Sequence, residues 1–564
     1  MNRNTIARAS AALALFTLCG FAHAQVPGHV VPPDAEPARP TYPEGAAIPR
    51  NMTDAERAWV ERNPITAPVL RAASSPVGPV HCVAEYEPME SIIIAWEGDA
   101  SWNAIQKTMV EHITTTGNAD VWIVVDNTTE RTSVQSTFAS SSANVARIKY
   151  VVRPTDSIWI RDYGPRYIYE GDVRAIVDHT YNRPRPNDNL LNAYYGGTTR
   201  RQKVYQLPLV HGGGNYHLDA NNNGHATRLI NNENPSLTES QILAYWQQYQ
   251  NLDTTLYTPF PTSVDSTQHI DMWMQIIADN KIVISDWPAQ PGTTQDVICD
   301  NAAAAFTSAG WTVYRTPART VSGVHYTYTN VVMCNDLVLI PTYTNSTITS
   351  PTNYNNLALA TWQAALPGKT VVQVNCQNLV TAAGVMHCIV MHIPVHKGGV
   401  NPTAYIQYPQ GGEVFAQGQS VSIEWISDDD VSPLLADIAL STDGGATFPT
   451  SIITGTIDDG QHTWVTPAID TANARIRVTI RDASGNTGSY VTPAFTIGDP
   501  SCPADYNGDG EFDVLDFLDF LDDFGQCEAQ PGPCGGIADA DVNGDTIVDV
   551  MDFLDFLDAF GTGC

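Results

Sequence analysis

Basic residues are scarce in this chain. Twenty-nine Lys and Arg stand against 60 Asp and Glu, a formal net charge of −31 over 564 residues. That sign excludes a protein that tracks a nucleic-acid backbone by charge. Residues 501–564 contain no Lys or Arg at all and carry 14 Asp and 2 Glu, a charge run that is either a solvated tail or a cation site. Long apolar runs are missing too. Beyond the first 24 residues none approaches the ~18 needed to cross a bilayer, which excludes a membrane-spanning helix there. With 43% hydrophobic residues, disorder throughout is excluded as well.

What is present begins with a leader. Arg3 and Arg8 precede an apolar run, Ala9 to Ala22, that ends in Ala22-His23-Ala24. This is the layout of a secretory signal peptide over residues 1–24, and it predicts a secreted or cell-surface protein. Cys19 follows Leu18 rather than a small residue, so no lipid anchor is expected. Nine cysteines remain after the leader, and an odd number in an oxidising compartment predicts a free thiol or an intermolecular bridge.

Four further parts are expected. Residues 25–78 are rich in Pro and Ala and read as an N-terminal arm or linker with a short helix near Asp54–Glu61. Residues 79–396 alternate β-rich runs with helical patterns. The runs include Ser91–Trp96, Val121–Val125, Lys281–Ser285, Asp336–Ile340 and Thr370–Val374. The helices lie at Trp102–Thr116, Ser236–Gln250, Asp296–Ala309 and Asn353–Leu366. That alternation says α/β. Residues 403–498 hold short alternating strands broken by Gly turns, the pattern of an all-β immunoglobulin-like sandwich without the antibody cysteine pair.

Residues 502–564 repeat with a period of 36. A calcium loop needs oxygen ligands at positions 1, 3, 5, 7, 9 and 12. The first loop offers Asp505, Asn507, Asp509, the carbonyl of Glu511, Asp513 and Asp516. The second offers Asp541, Asn543, Asp545, the carbonyl of Ile547, Asp549 and Asp552, with Thr546 where a Gly is expected. An acidic solubilising tail would not repeat this register, so Ca2+ is expected here. Loop–helix pairs of this size resemble dockerin modules. The resemblance implies a small α-helical docking module and a cohesin-like receptor as partner.

Chemistry is expected in the α/β part, where four stretches set polar groups among apolar or Gly-rich neighbours. They are Trp159-Ile-Arg-Asp162, His211-Gly-Gly-Gly-Asn215, His269-Ile-Asp271 and His387-Cys388. Singly, each has a plain structural reading: an ion pair, a tight turn, a core histidine. Asn215-Tyr216-His217 does not open a helix, so a phosphate cradle is not expected. His269 and Asp271, two apart in an extended segment, would share a face.

Taken in order, and with Tyr328-Thr-Asn330 before the strand at 337–340, the set resembles the guanidino-group-modifying enzymes. The branch is that of agmatine deiminase and the bacterial peptidylarginine deiminases. The resemblance implies the pentein fold, an α/β propeller of five ββαβ-type units. It implies Cys388, His269, Asp271, Asp162 and Asn330 as catalytic residues, with Trp159 in the substrate pocket. It also implies that catalysis itself needs no cofactor. The physical logic agrees: a guanidinium is planar and always charged, so carboxylates must meet it in its plane. Its carbon is a poor electrophile, which calls for a thiolate. His269 would protonate the departing ammonia and then activate the water that resolves a thiouronium intermediate.

Tyr181-Asn-Arg-Pro-Arg-Pro-Asn187 bears on the substrate. Agmatine has no carboxylate for Arg183 and Arg185, whereas a peptide ending in Arg does. An Arg-Pro-Arg-Pro element here is similar to the secreted peptidylarginine deiminase branch, so arginine-containing peptides or proteins are the expected substrates. An agmatine or free-arginine deiminase is the alternative, and a non-catalytic surface adhesin the second.

Overall fold

The computed structural model describes residues 38–43, 45–68, 75–430, 434–498, 506–507, 514–528, 540–542 and 548–562. The expected leader lies outside the described residues, as do Asp505, Asp509, Glu511, Asp513, Asn543, Asp545 and Ile547 of the calcium loops. Pro40 onward forms one compact unit.

Five sheets repeat one pattern: two antiparallel strands, a helical segment, then a strand parallel to the second. In the first, Met391–Pro394 runs antiparallel to Met89–Ala95, and Asp120–Val125 returns parallel to it after helix Ala100–Thr115. The second uses Arg166–Glu170, Val173–Tyr181 and Val204–His211. The third uses His217–Leu218, Asn223–Thr227 and Asp253–Tyr257. The fourth uses Met274–Ala278, Lys281–Asp286 and Thr312–Pro317. The fifth uses Val332–Cys334, Leu337–Thr342 and Thr370–Asn375.

The sequence makes these choices locally. Ile92, Ile93 and Ile94 are all buried because their strand lies inside its sheet and packs on both faces. Asp99 caps the first long helix by accepting from Ser101 N and Trp102 N. That helix buries Trp102, Ile105, Met109, Val110 and Ile113, the three-and-four spacing of a single apolar face. The helices expected in the α/β part fall at Ala100–Thr115, Glu239–Gln250, Thr294–Ser308 and Tyr354–Ala365.

Two expectations need correction. His269 and Asp271 do not lie on an extended segment: His269 precedes a 3-10 turn, Ile270–Met272, whose bend turns both side chains to one place. The thiols are also more numerous than one. Cys82, Cys299, Cys334, Cys376 and Cys388 are all free and buried.

Past the five sheets, the described residues of 403–498 hold strands and turns without a helix. Strands Thr403–Tyr408, Ser420–Asp428 and Gln461–Val465 form one sheet. A second is built around Leu435–Ser441 and Thr471–Arg481. Ile406, Ile423 and Trp425 of the first pack with Ile438, Ile476 and Val478 of the second. This part is riveted to the α/β domain. Arg174 Nε meets Asp428 at 2.6 Å with both side chains fully buried, and Gln202 donates to the other Asp428 oxygen at 2.7 Å. At the C-terminus, helices Val514–Glu528 and Val550–Thr562 meet through Phe520 and Phe556, stacked with ring centroids 4.0 Å apart.

Candidate active site

The residues expected to act together come from four separate places in the chain. Asp162 lies on the short helix Ile160–Tyr163, between the first and second sheets. His269 precedes, and Asp271 lies within, the turn that leads into the fourth sheet. Asn330 precedes the fifth. Cys388 sits in a 3-10 turn, His387–Ile389, immediately before the strand that completes the first sheet. All five side chains are fully buried and converge on one point.

A guanidinium occupies that point, and it belongs to the chain itself. Arg50 reaches in from the N-terminal arm. Its Nε and Nη2 donate to the two oxygens of Asp162 at 3.0 and 2.8 Å. Nη1 and Nη2 donate to the two oxygens of Asp271, each at 3.1 Å. Two carboxylates thus hold the group edge-on, the arrangement that planar fork geometry favours. Nη1 lies 2.7 Å from Cys388 Sγ, and Nη2 lies 2.7 Å from His269 Nδ1. Asn330 Nδ2 donates to the same sulfur at 3.1 Å, while its Oδ1 accepts from His387 N.

Electrostatics follow from burial and from this cation. Burial alone would raise the Asp162 carboxyl, but Arg50 and His269 overcome it and hold the group well below the usual range. Asp271 is lowered in the same way, against burial, by Arg50 and His387. Burial pushes the Cys388 thiol well up, Arg50 opposes that rise, and Asp271 and Asp162 add to it. Arg50 is thus the main group in contact that favours the ionised sulfur.

Four further contributors stand around the site: Gly214 and His387 lie in the stretches singled out above but without a role of their own, and Glu85 and Arg50 lie in none of them. Gly214 is the one that makes room: a Cβ there would collide with Arg50 Nη2 and come within 2.8 Å of both carboxylates. The triple-glycine loop is a space for a guanidinium rather than for a phosphate. His387 links Asp271 to Glu85, with Nδ1 2.9 Å from the former and Nε2 2.9 Å from the latter. Glu85 also pairs with Arg161 at 2.7 Å. Glu85, His217 and His387 are close enough to share a metal ion. Both ring nitrogens of His387 already face carboxylates, so orientation of Asp271 is the role that the contacts support. Arg50 itself lies in a Pro-rich arm that carries no catalytic motif.

The expected substrate-binding residues touch the arm. Trp159 Nε1 donates to the Ile48 carbonyl at 2.7 Å. Arg183 Nε donates to the Arg50 carbonyl at 3.1 Å. Arg185 pairs with Glu56 at 2.8 Å and gives Nη2 to the Pro49 carbonyl, also at 2.8 Å.

The profile of the Porphyromonas-type peptidyl-arginine deiminases matches residues 81–394, more than half of the chain. The chain belongs to that family. It is a deiminase, a hydrolase of C–N bonds. A Legionella pneumophila protein carrying the agmatine deiminase name is 24% identical over 268 residues, 44% of this chain and 75% of that protein. A Photobacterium profundum protein of the same name is 25% identical over 224 residues, 36% of this chain and 59% of its own length. The agmatine deiminase of Enterococcus faecalis superposes on the deiminase domain with a TM-score of 0.50 at 18% identity. It covers 58% of this chain and 100% of its own. That likeness bears on the fold: the five sheets are those of a pentein-type deiminase.

Proposed function

We propose that the chain is a peptidylarginine deiminase, converting arginine in a polypeptide to citrulline and ammonia. One observation carries this reading: the guanidinium between the two carboxylates is attached to a peptide backbone, and Arg183 receives that residue's carbonyl oxygen. Agmatine has no such oxygen.

Cys388 Sγ attacks the carbon of a guanidinium that Asp162 and Asp271 hold beside it. The amine beside His269 takes its proton and leaves as ammonia, giving an S-linked thiouronium. Water then adds to the same carbon, His269 accepts its proton, and the sulfur departs to leave the ureido group of citrulline. Asn330 holds the sulfur throughout, and His387 keeps Asp271 aligned. Arg183 meets a carbonyl when arginine is internal and a carboxylate when it is C-terminal. The charged partner binds more tightly, so the enzyme favours a C-terminal arginine.

The test is ammonia and ureido release from a C-terminal arginyl peptide, its amidated form, free arginine and agmatine. Loss of a charged hydrogen bond costs about 1.5–3 kcal/mol, so amidation lowers kcat/KM roughly tenfold to a hundredfold. Faster turnover of agmatine than of any peptide would refute the substrate assignment.

The leader at 1–24 supports export. The acidic repeats, whose donors are all hard oxygens, suit Ca2+. Asp516, in position 12 of the first loop, is buried and accepts from Asn507 N at 3.2 Å, which draws the two ends of that loop together. We assign this module to docking on a cohesin-like receptor, and the sandwich to an immunoglobulin-like spacer. No metal is assigned to the catalytic step.

A further inference from the structure

The N-terminal arm does more than link. Residues 46–56 lie along the mouth of the site and are fastened at successive points. The Ile48 carbonyl takes Trp159 Nε1, the Pro49 carbonyl takes Arg185 Nη2, and the Arg50 carbonyl takes Arg183 Nε. Arg50 N donates to the Ala382 carbonyl at 2.9 Å, just ahead of the nucleophile's turn. Glu56 closes the fastening on Arg185, inside a helix start capped by Thr53. Apart from the Glu56 pair, each of these contacts is made to arm backbone, which any peptide also offers.

Occupancy is complete. With Arg50 in place, Asp162, His269, Asp271 and Cys388 have no solvent exposure. Gly214 leaves room for one guanidinium only, since the space its missing Cβ would fill is already taken by Nη2. No second arginine can reach the sulfur until Arg50 leaves. A tethered ligand of this kind acts at an effective concentration on the order of millimolar, so a dilute free peptide loses the competition.

Resting on the deiminase reading above, we propose that residues 46–56 form an intramolecular, substrate-mimicking strap. Arg50 fills the guanidinium site in cis and suppresses turnover of all other arginines until the arm is displaced. The strap is held both by the side chain and by the backbone, so release requires the arm to peel away as a unit.

The experiment compares the full wild-type chain, freshly purified, with Arg50→Ala and with Glu56→Gln. Each is assayed on a capped peptide holding one internal arginine, and mass spectrometry reads the state of residue 50. Arg50→Ala should raise kcat/KM at least tenfold, mainly through a lower KM. Glu56→Gln, which leaves Arg50 and all catalytic groups intact, should raise it by a smaller factor. If Arg50→Ala melts early, Glu56→Gln carries the test alone. Conversion of residue 50 to citrulline in the wild type, at a rate unchanged by dilution and absent in Cys388→Ala, supports the strap, because only an arginine bound in cis reacts so. Equal kcat/KM for all three chains, with residue 50 still arginine in the wild type, overturns it. Failure of every chain on peptides, free arginine and agmatine alike refutes instead the deiminase reading on which it rests.

Discussion

Cys388 sits where its own ionisation is opposed. Burial and two carboxylates push the thiol up, and the guanidinium beside it is the principal force in the other direction. The bound guanidinium thus opposes the rise without cancelling it, which favours reaction when a cation is correctly seated. Cys388→Ala removes the nucleophile from a buried site with a small loss of volume, so turnover should vanish while the melting temperature stays near that of the parent. Residual ammonia release at the wild-type rate would contradict the mechanism. Gly214→Ala tests space alone. Gly214 does not adopt a positive φ, so alanine is compatible with the backbone, but its methyl group enters the guanidinium's place. We expect kcat/KM to fall at least a hundredfold with the fold retained, and steady-state kinetics beside a thermal melt decide it.

Among the elements, the arm is the piece whose attachment responds to pH. The groups facing Arg50 are Asp162, Asp271, His269 and Cys388. Arg50 stays charged, and the two carboxylates titrate below their usual range in the docked state. A lowered carboxylate gives stabilisation that is full above its ordinary value, near ~4, and is lost as pH falls toward the lowered one. The arm should therefore be tightest near neutral pH and begin to loosen as pH falls below about 4, with progressively greater release in stronger acid. Limited proteolysis at residues 61–68 across that range would show it; cleavage independent of pH would count against the two carboxylates as the clasp. Much of this was open to reading from the chain. Apolar runs and helix periods mark strands of the first, fourth and fifth sheets and four long helices, because each has a continuous apolar face to bury. The strands of the second and third sheets are not among those runs. Motif order marked Asp162, His269, Asp271, Asn330 and Cys388. Arg50 left no trace of that kind, since its role comes from a contact across more than 300 residues with Cys388 and no local periodicity encodes it. The bend at Ile270–Met272 was hidden for a related reason: two-residue spacing is the same on a strand and on a turn.

For the whole molecule, the junction between the deiminase domain and the β part rests on a buried ion pair. Arg174 meets Asp428 with neither side chain exposed, and Glu90 takes the other end of the guanidinium. Asp428→Ala would leave that cation short of a partner inside the protein, a change that typically costs about 3–5 kcal/mol. Cooperative unfolding at a markedly lower denaturant midpoint is expected, and an unchanged midpoint would show that the pair is not structural. The acidic tail makes a separate prediction. If its two loops bind Ca2+, chelator should lower the helicity of residues 514–562 and leave deimination untouched, because no catalytic group lies among the assigned ligands. Circular dichroism paired with an ammonia assay separates the two effects.

The first sheet is closed by the last strand of its domain. Met391–Pro394 pairs with Met89–Ala95, residues that leave the ribosome roughly 300 positions earlier. Cys388 stands three residues before that closing strand. A chain made from its N-terminus has its clasp, both carboxylates and its histidine in hand long before it has the Cys388 sulfur. Such long-range pairing is the slow part of folding. Nascent chains are for this reason chemically silent, and the strap meets the nucleophile only once the first sheet has been completed behind it.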